Sequence, residues 1–388
     1  MPDEQADGRL PGDARLDRVL EAIVGGKDRE RARAYIEGLC GDRSRKTVRS
    51  IAGSSQPKGR VQLQRFLTDV ARDCSILCDQ LALEANDLVG GDRACLVVDD
   101  IVLPKKGTAS VGVARRVDSA TGKRANFQAL VSLSLASEGK TIPVAIRLVL
   151  PRAWIDDPAK RLAAGIPEAL SAADDQAAYE TDWIVVREIG RLRDLGVRFG
   201  VVVAPVHCGT EYFREKLAEW ETGWVLPISE RDEFYQRENK STSQGKRHNV
   251  KFKAEAERAF DIIHRDSGRQ MRRCDWSGKY EPVIAKFQDV SRTKPQRDRH
   301  GAMTSPGRVW IWMQSNGRNQ SSWWMSNLPP NTAEVRLVDS IRNLWLVREM
   351  IERVKGEFGL TAYQGRSWVG LHRHALMVCL AALRECKC

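Results

Sequence analysis

The stretch Ala94–Pro104, ACLVVDDIVLP, decides the fold. Its continuous apolar character and its β-branched residues predict a strand that is buried on both faces. Two further strands are predicted in NFQALVSLSLASEG (126–139) and KTIPVAIRLVLP (140–151), which meet at the turn signal Glu138-Gly139. The three segments together predict a β-meander.

A helix is predicted after the meander, from Thr181 to about Leu195, where Gly196 ends it. Another buried strand follows in VRFGVVVAPV (197–206). Three strands, a helix, a strand and a helix is the element order of a ribonuclease H-like core. In this α/β fold, carboxylates at strand ends hold two metal ions.

The segment that precedes this core has a helical period. Apolar residues recur at helical spacing from Leu16 to about Asp87, which predicts an all-α N-terminal domain. Its basic segments DRSRKTVRS (42–50) and PKGRVQLQR (57–65) suit a helical bundle that contacts DNA. A solvated helix face explains the same charges, and the sequence leaves both interpretations open.

A basic, Trp-rich segment follows the core strands. Residues 231–300 hold 18 Lys and Arg against 11 Asp and Glu, and VWIWMQSNGRNQSSWWM (309–325) adds four tryptophans. These residues suit phosphate binding with base stacking. Alternatively, the WIW and WWM runs form paired strands around the hairpin signal Asn316-Gly317, and the two interpretations are compatible.

We therefore expect an α/β protein with a ribonuclease H-like core, an all-α N-terminal domain and a β-rich insertion. The expected segments are a disordered tail (1–15), a helical DNA-binding domain (16–93), the first part of the core (94–223), the basic Trp-rich insertion (224–331) and the C-terminal helices of the core (332–388).

Composition restricts the class of partner. The chain of 388 residues carries a formal charge of +11, with a pI near 9.3, and this favours a polyanion such as nucleic acid. Its apolar runs are too short for a membrane span. Nine irregularly spaced cysteines fit a reducing cytoplasm, and they lack the pattern of a zinc site.

Four blocks of sequence resemble a known family. They are DDIVLPKKGTASVGVARR (99–116), GKRANFQALVSLSLAS (122–137), LPRAWIDDPAKRLAAGIP (150–167) and VKGEFGLTAYQGRSWVGLHRH (354–374). These blocks resemble bacterial insertion-sequence transposases of the DDE type, the insertion sequence 701 group. The resemblance implies phosphodiester hydrolysis and transfer by three carboxylates that hold two divalent metal ions.

Carried onto this chain, the first acid of the family matches Asp100, with Asp99 beside it. Adjacent residues on a strand point to opposite faces, so only one of the two aspartates can reach the metals. We select Asp100, with Asp99 as a substitute. The second acid position is occupied by Pro205, and the next carboxylate after it is Glu211.

The third acid of the family lies on the helix before the GRSW block, seven residues before a lysine. Counting seven residues back from Lys355 gives Arg348, and Glu352 is a substitute one turn along the helix. Two of the three acids are thus replaced. Asp100 is then the one expected metal ligand of the triad.

The leading hypothesis is a transposase-derived, domesticated or decayed DNA-binding protein without strand cleavage. An active transposase with substitute acids is the first alternative, and an enzyme that uses His207 and Cys208 is the second. No cofactor is expected, and Mg²⁺ or Mn²⁺ only if cleavage survives. We expect double-stranded DNA as partner, a homodimer by resemblance only, no membrane, and a cytoplasmic, nucleoid-associated location. The expected DNA-binding residues are Lys105, Lys106, Arg115, Arg116, Lys123, Arg124, Lys355, Arg366 and Arg373.

Overall fold

The computed structural model describes residues 11–23, 25–53, 57–70, 74–117, 122–170, 180–238, 251–252, 255–265, 272–274, 283–292, 296–297, 303–304, 308–315, 321–329 and 331–386. The chain divides into two compact units. The first comprises Met1–Gly200, Thr210–Phe213 and Asn343–Cys388, and the second comprises Val201–Gly209 and Arg214–Arg342.

The first unit begins with five helices. They are α1 (Pro11–Glu21), α2 (Gly26–Cys40), α3 (Val48–Ala52), α4 (Pro57–Thr68) and α5 (Ser75–Val89). Its strands are β1 (Gly91–Lys105), β2 (Val113–Val117), β3 (Arg124–Ser137) and β4 (Lys140–Val149). In the described part of the chain, the helices that follow are α6 (Arg152–Ile155), α7 (Pro158–Ala164) and α8 (Thr181–Asp194).

The sheet of the first unit is antiparallel. Strand β3 pairs with β1 along one edge, and with β2 and then β4 along the other. Between β3 and β4, Glu138 has φ 51° and Gly139 has φ 82°. Positive φ at both central residues is what a two-residue type I′ hairpin requires, so the predicted turn is confirmed.

The last helix lies at the centre of the first unit. Helix α12 (Trp368–Arg384) is buried almost all round, from Gly370 to Leu383, which is typical of a helix enclosed by other elements. It contacts β4 and the helices α1, α2, α4 and α5. The N-terminal helices therefore pack on the C-terminal helix within one unit.

The second unit is dominated by strands. They are β6 (Gly223–Ile228), β7 (Glu233–Glu238), β8 (Lys251–Phe252), β9 (Glu257–Arg258), β10 (Arg272–Cys274), β11 (Val283–Ser291), β12 (Gln296–Arg297), β13 (Met303–Thr304), β14 (Arg308–Ser315) and β15 (Ser321–Ser326). Strand β5 (Phe199–Val203) begins in the first unit and ends in the second. It pairs in parallel with β6, and the order then continues β15, β14, β11, β7 by antiparallel pairing.

The remaining helices among the described residues are α9 (Glu211–Glu219), α10 (Ala259–Arg265) and α11 (Glu334–Lys355). The residues of α11 from Asn343 onward belong to the first unit. The predicted fold class is confirmed, because an antiparallel meander is followed by a helix, a strand, a helix and a parallel strand, as in a ribonuclease H-like core. The predicted domain boundaries stay predictions.

The tryptophan runs form paired strands. Trp312 of β14 lies opposite Trp324 of β15, and Met313 lies opposite Trp323. Trp312, Trp323 and Trp324 are buried, so their rings pack the sheet and are not displayed to bases. This corrects the base-stacking interpretation for these three tryptophans. The hairpin signal Asn316-Gly317 lies outside the described residues.

No helix among the described residues is long and apolar enough to cross a membrane.

Candidate functional site

Strand β1 presents its two aspartates to different environments. Asp99 alternates with the buried residues Ile101 and Leu103, and only 16% of its side chain is exposed. Asp100 lies on the opposite face together with Val102, and both are exposed. This follows from the period of two residues along a strand, which turns neighbouring side chains to opposite faces.

Helix α11 faces Asp99. Arg348 Nε lies 3.7 Å from Asp99 Oδ1. Earlier on the same helix, Asn343 Nδ2 lies 3.2 Å from Cys95 Sγ, and Cys95 is on the Asp99 side of β1. Two contacts thus fix the helix over this face, and the acid that meets Arg348 is Asp99.

The ion pair is only partly shielded from water. The Arg348 side chain is 47% exposed, and its guanidinium lies 5.3 Å from the centre of the Trp345 ring. Burial raises the pKa of Asp99 above its ordinary value, while the positive charge of Arg348 acts in the opposite direction. The charged group of α11 that contacts Asp99 is therefore a cation.

The acids nearest to Arg348 along α11 point elsewhere. Glu352 is 71% exposed, and its carboxylate bonds to Lys355 Nζ at 2.8 Å. Glu349 is also exposed. Within the described ranges, no group of three His, Cys, Asp or Glu side chains is placed to hold a metal ion.

These residues do not fit a pair of divalent metal ions. Such a pair requires carboxylate oxygens that converge from several elements. In the first unit, the position opposite Asp99 is filled by a guanidinium, which offers only hydrogen-bond donors and has no lone pair for a metal ion. Asp100, which we selected from the sequence, is on the other face of β1.

The second family position lies in the second unit. Pro205 precedes a single 3₁₀ turn, Val206–Cys208, and its ring offers no metal ligand. His207 is exposed, whereas the Cys208 side chain is completely buried. A nucleophile must reach its substrate, so this burial counts against the hypothesis that His207 and Cys208 form a catalytic pair.

Most of the predicted DNA-binding residues are accessible. The exposed ones are Lys106, Arg115, Arg116, Lys123, Arg124 and Arg366. Lys355 is half-buried and bonds to Glu352. Lys105 donates to the carbonyl oxygen of Tyr363 at 3.1 Å, and burial lowers its pKa.

Arg373 does not fit the role of a DNA-binding residue. It is 3% exposed and donates to the carbonyl oxygens of Phe66 and Asp69, the latter at 2.9 Å. Its Nε also lies 3.2 Å from Cys74 Sγ. Because these carbonyls end α4, Arg373 caps the C-terminus of that helix, which is a structural role.

The two histidines beside Arg373 are also internal. His374 Nδ1 accepts from the Tyr35 hydroxyl at 2.9 Å, and Nε2 donates to the Gly359 carbonyl at 3.1 Å. His372 Nε2 accepts from the Leu148 amide at 3.3 Å. Burial lowers the pKa of each histidine to about 4, so both are neutral at pH 7 and hold α12 in place.

Sequence reasoning did not anticipate a buried charge network on α8. Arg147 Nε and Glu188 Oε1 are 2.8 Å apart. Arg191 lies between two acids, with its Nε 3.1 Å from Glu188 Oε2 and its Nη1 2.7 Å from Asp79 Oδ1. Glu188 and Arg191 lie three residues apart on one helix face, but β4 and α5 supply their partners. No pattern within a short stretch of sequence predicts these long-range pairs.

Comparisons with known proteins bear on the family. The family model described as DDE superfamily endonuclease matches residues 19–282, a range that includes Asp99, Asp100 and Pro205 and ends before Arg348. No curated protein sequence matches the chain.

Among solved structures, the chain is similar to one titled "Drosophila P element transposase strand transfer complex", with 12% identity and a TM-score of 0.24. That match covers 54% of this chain and 40% of the other, so the chain spans less than half of the length of the transposase it matches. The family model spans more than half of the chain, and the chain therefore belongs to the DDE superfamily endonucleases.

Proposed function

We propose that this chain is a transposase-derived protein of the insertion sequence 701 group that binds double-stranded DNA and does not cleave it. The observation that carries the proposal is the ion pair between Asp99 and Arg348, at 3.7 Å. In the resemblance, Arg348 occupies the position of the third metal-binding acid.

Electrostatics explains why this substitution should abolish metal binding. Two unit charges 4 Å apart interact with about 4 kcal/mol in a protein surface environment, and a divalent ion doubles that value. A guanidinium at this position would therefore repel each metal ion instead of attracting it. The Arg348 charge is balanced by Asp99, so the pair replaces metal-mediated neutralisation of the acid.

Exposed cations support DNA binding. Arg115 on β2 and Arg124 at the start of β3 share one face of this hairpin, because Arg124 lies directly opposite Val117, two residues after Arg115; Arg116 points to the other face. The whole chain carries a formal charge of +11. Cations at fixed spacing on a rigid sheet suit the phosphates of a duplex.

The protein is expected to bind duplex DNA with a steep dependence on salt. If six exposed cations contact phosphates, log K falls with log salt at a slope of about −5, a loss of about a thousandfold between 50 and 200 mM salt. Fluorescence anisotropy with a labelled duplex measures this slope. The paired change Arg115→Gln and Arg124→Gln, which removes two cations from the same face, should reduce it by about 2.

Affinity that stays flat over this salt range, or that is undetectable at low salt, would contradict the proposal that the protein binds DNA.

We also propose a homodimer and a cytoplasmic, nucleoid-associated location. Both rest on the family resemblance and on the affinity for DNA.

A further inference from the structure

The first unit contains a cavity of about 730 Å³ that is separate from the Asp99–Arg348 pair. Five segments line it: Tyr35 of α2, the loop and short helix Ser44–Arg49, helix α4, Lys106 directly after β1, and the loop between α11 and α12. Long-range packing therefore assembles it. Neither Asp99 nor Arg348 is among its lining residues.

The cavity is strongly basic. Five of its lining residues are cations, namely Arg45, Lys46, Arg49, Arg60 and Lys106, and none of the described lining residues is acidic. Lys46 is 7% exposed, and its ammonium group is held by the carbonyls of Leu39 and Gly41. The other four cations are exposed and surround the cavity.

Several cations elsewhere in the helices are paired with carboxylates. Arg18 bonds to Glu84 at 2.6 Å and Arg31 to Asp28 at 2.6 Å. Within the part of the chain that the structure describes, Arg45, Arg49, Arg60 and Lys106 form no such ion pair. Four like charges around one opening favour an anion there.

We propose that this cavity binds the sugar-phosphate backbone of duplex DNA, with Arg45, Arg49, Arg60 and Lys106 on its phosphates. The inference rests on the proposed DNA-binding function and places a docking point for it on the N-terminal helices. Arg45 and Arg49 precede and begin α3, while Arg60 lies on α4, so the cations are held by packed elements.

The arrangement favours a backbone over a small free phosphate. The cations come from separate elements around an opening of about 730 Å³, which is several times the volume of one phosphate group. A duplex presents phosphates at regular spacing and can satisfy several separated cations at once. Ser44, Thr47 and Gln64 add neutral hydrogen-bonding groups to the same lining.

The test compares two triple variants of the full chain. The first carries Arg45→Gln, Arg49→Gln and Arg60→Gln. The matched control carries Arg93→Gln, Arg187→Gln and Arg198→Gln, which removes the same charge from exposed positions outside the cavity. The cavity variant should bind a labelled duplex at least about tenfold more weakly at low salt, with a salt slope reduced by 2 to 3, and the control should retain most of the wild-type slope.

The outcomes separate this proposal from the proposed function. Equal losses in the two triple variants would overturn the cavity as a docking site while DNA binding stands. Absence of DNA binding by the wild type would overturn both. Competition by adenosine monophosphate or pyrophosphate at micromolar concentration would reassign the cavity to a small phosphate ligand and overturn the backbone assignment.

Folding of the cavity variant is checked by urea denaturation. Because the three arginines have no ion-pair partner among the described residues, their neutralisation should leave the midpoint unchanged or raise it. A weaker binder with an unchanged midpoint supports the proposal. A lowered midpoint would show that these arginines stabilise the fold, and the single changes Arg45→Gln and Lys106→Gln would then have to show additive losses of affinity for the proposal to stand.

Discussion

The change Arg348→Glu is expected to give the protein a Mn²⁺ site that the wild type lacks. It replaces the guanidinium 3.7 Å from Asp99 with a second carboxylate on the same helix face. Two converging carboxylates should bind Mn²⁺ at about millimolar affinity. With a dissociation constant of about 1 mM, 10 mM Mn²⁺ would raise the free energy of unfolding of the variant by about 1.4 kcal/mol.

Electron paramagnetic resonance of free Mn²⁺ and thermal unfolding both measure this gain. Arg348→Gln is the matched control, because it removes the cation without adding a carboxylate and should bind at least about tenfold more weakly. In the Arg348→Glu background, Asp99→Asn should abolish the site, whereas Asp100→Asn should leave it intact. If Asp100→Asn abolished the site and Asp99→Asn left it intact, Asp100 would be the metal ligand, as the sequence predicts.

The second large effect is expected on stability. Arg373→Met should lower the free energy of unfolding by about 2 to 4 kcal/mol, because it removes the buried guanidinium that donates to the carbonyls of Phe66 and Asp69. Urea denaturation followed by circular dichroism measures the loss. Since the residue is 3% exposed, affinity of the folded variant for DNA should be unchanged.

Arg366→Met is the control for this prediction. Arg366 is exposed in the same block of sequence, so its replacement should change stability by no more than about 0.5 kcal/mol. It should instead weaken binding to DNA. Wild-type stability together with lost DNA affinity in Arg373→Met would show that this arginine contacts DNA and does not cap α4.

The strands of the core could be predicted because their signals are local. The apolar run at Ala94–Pro104 and the Glu138-Gly139 turn are each contained in a few residues, and the structure has β1 at Gly91–Lys105 and a hairpin at the turn. The pairing of the WIW and WWM runs was one of two interpretations that the sequence left open. Burial of Trp312 and its neighbours depends on what the sheet packs against, which a short window does not contain.

The site, too, could be predicted from the sequence only where a short stretch of residues determines it. Alternation predicts that Asp99 and Asp100 point to opposite faces, but only the packing of α11 determines which one meets Arg348. The burial of Arg373 depends on α4, which lies some 300 positions away in sequence. Charge and spacing gave no sign that this cation is enclosed while Arg366 is exposed.

We expect this DDE superfamily chain to have lost strand cleavage. The most direct measurement incubates the wild-type protein with a supercoiled plasmid that carries the DNA flanking its own gene, in Mg²⁺, in Mn²⁺ and in chelator. The plasmid is expected to stay supercoiled to the same extent in all three, while anisotropy shows the DNA bound. A nick that appears only with metal, and that Asp99→Asn or Asp100→Asn abolishes, would contradict this expectation.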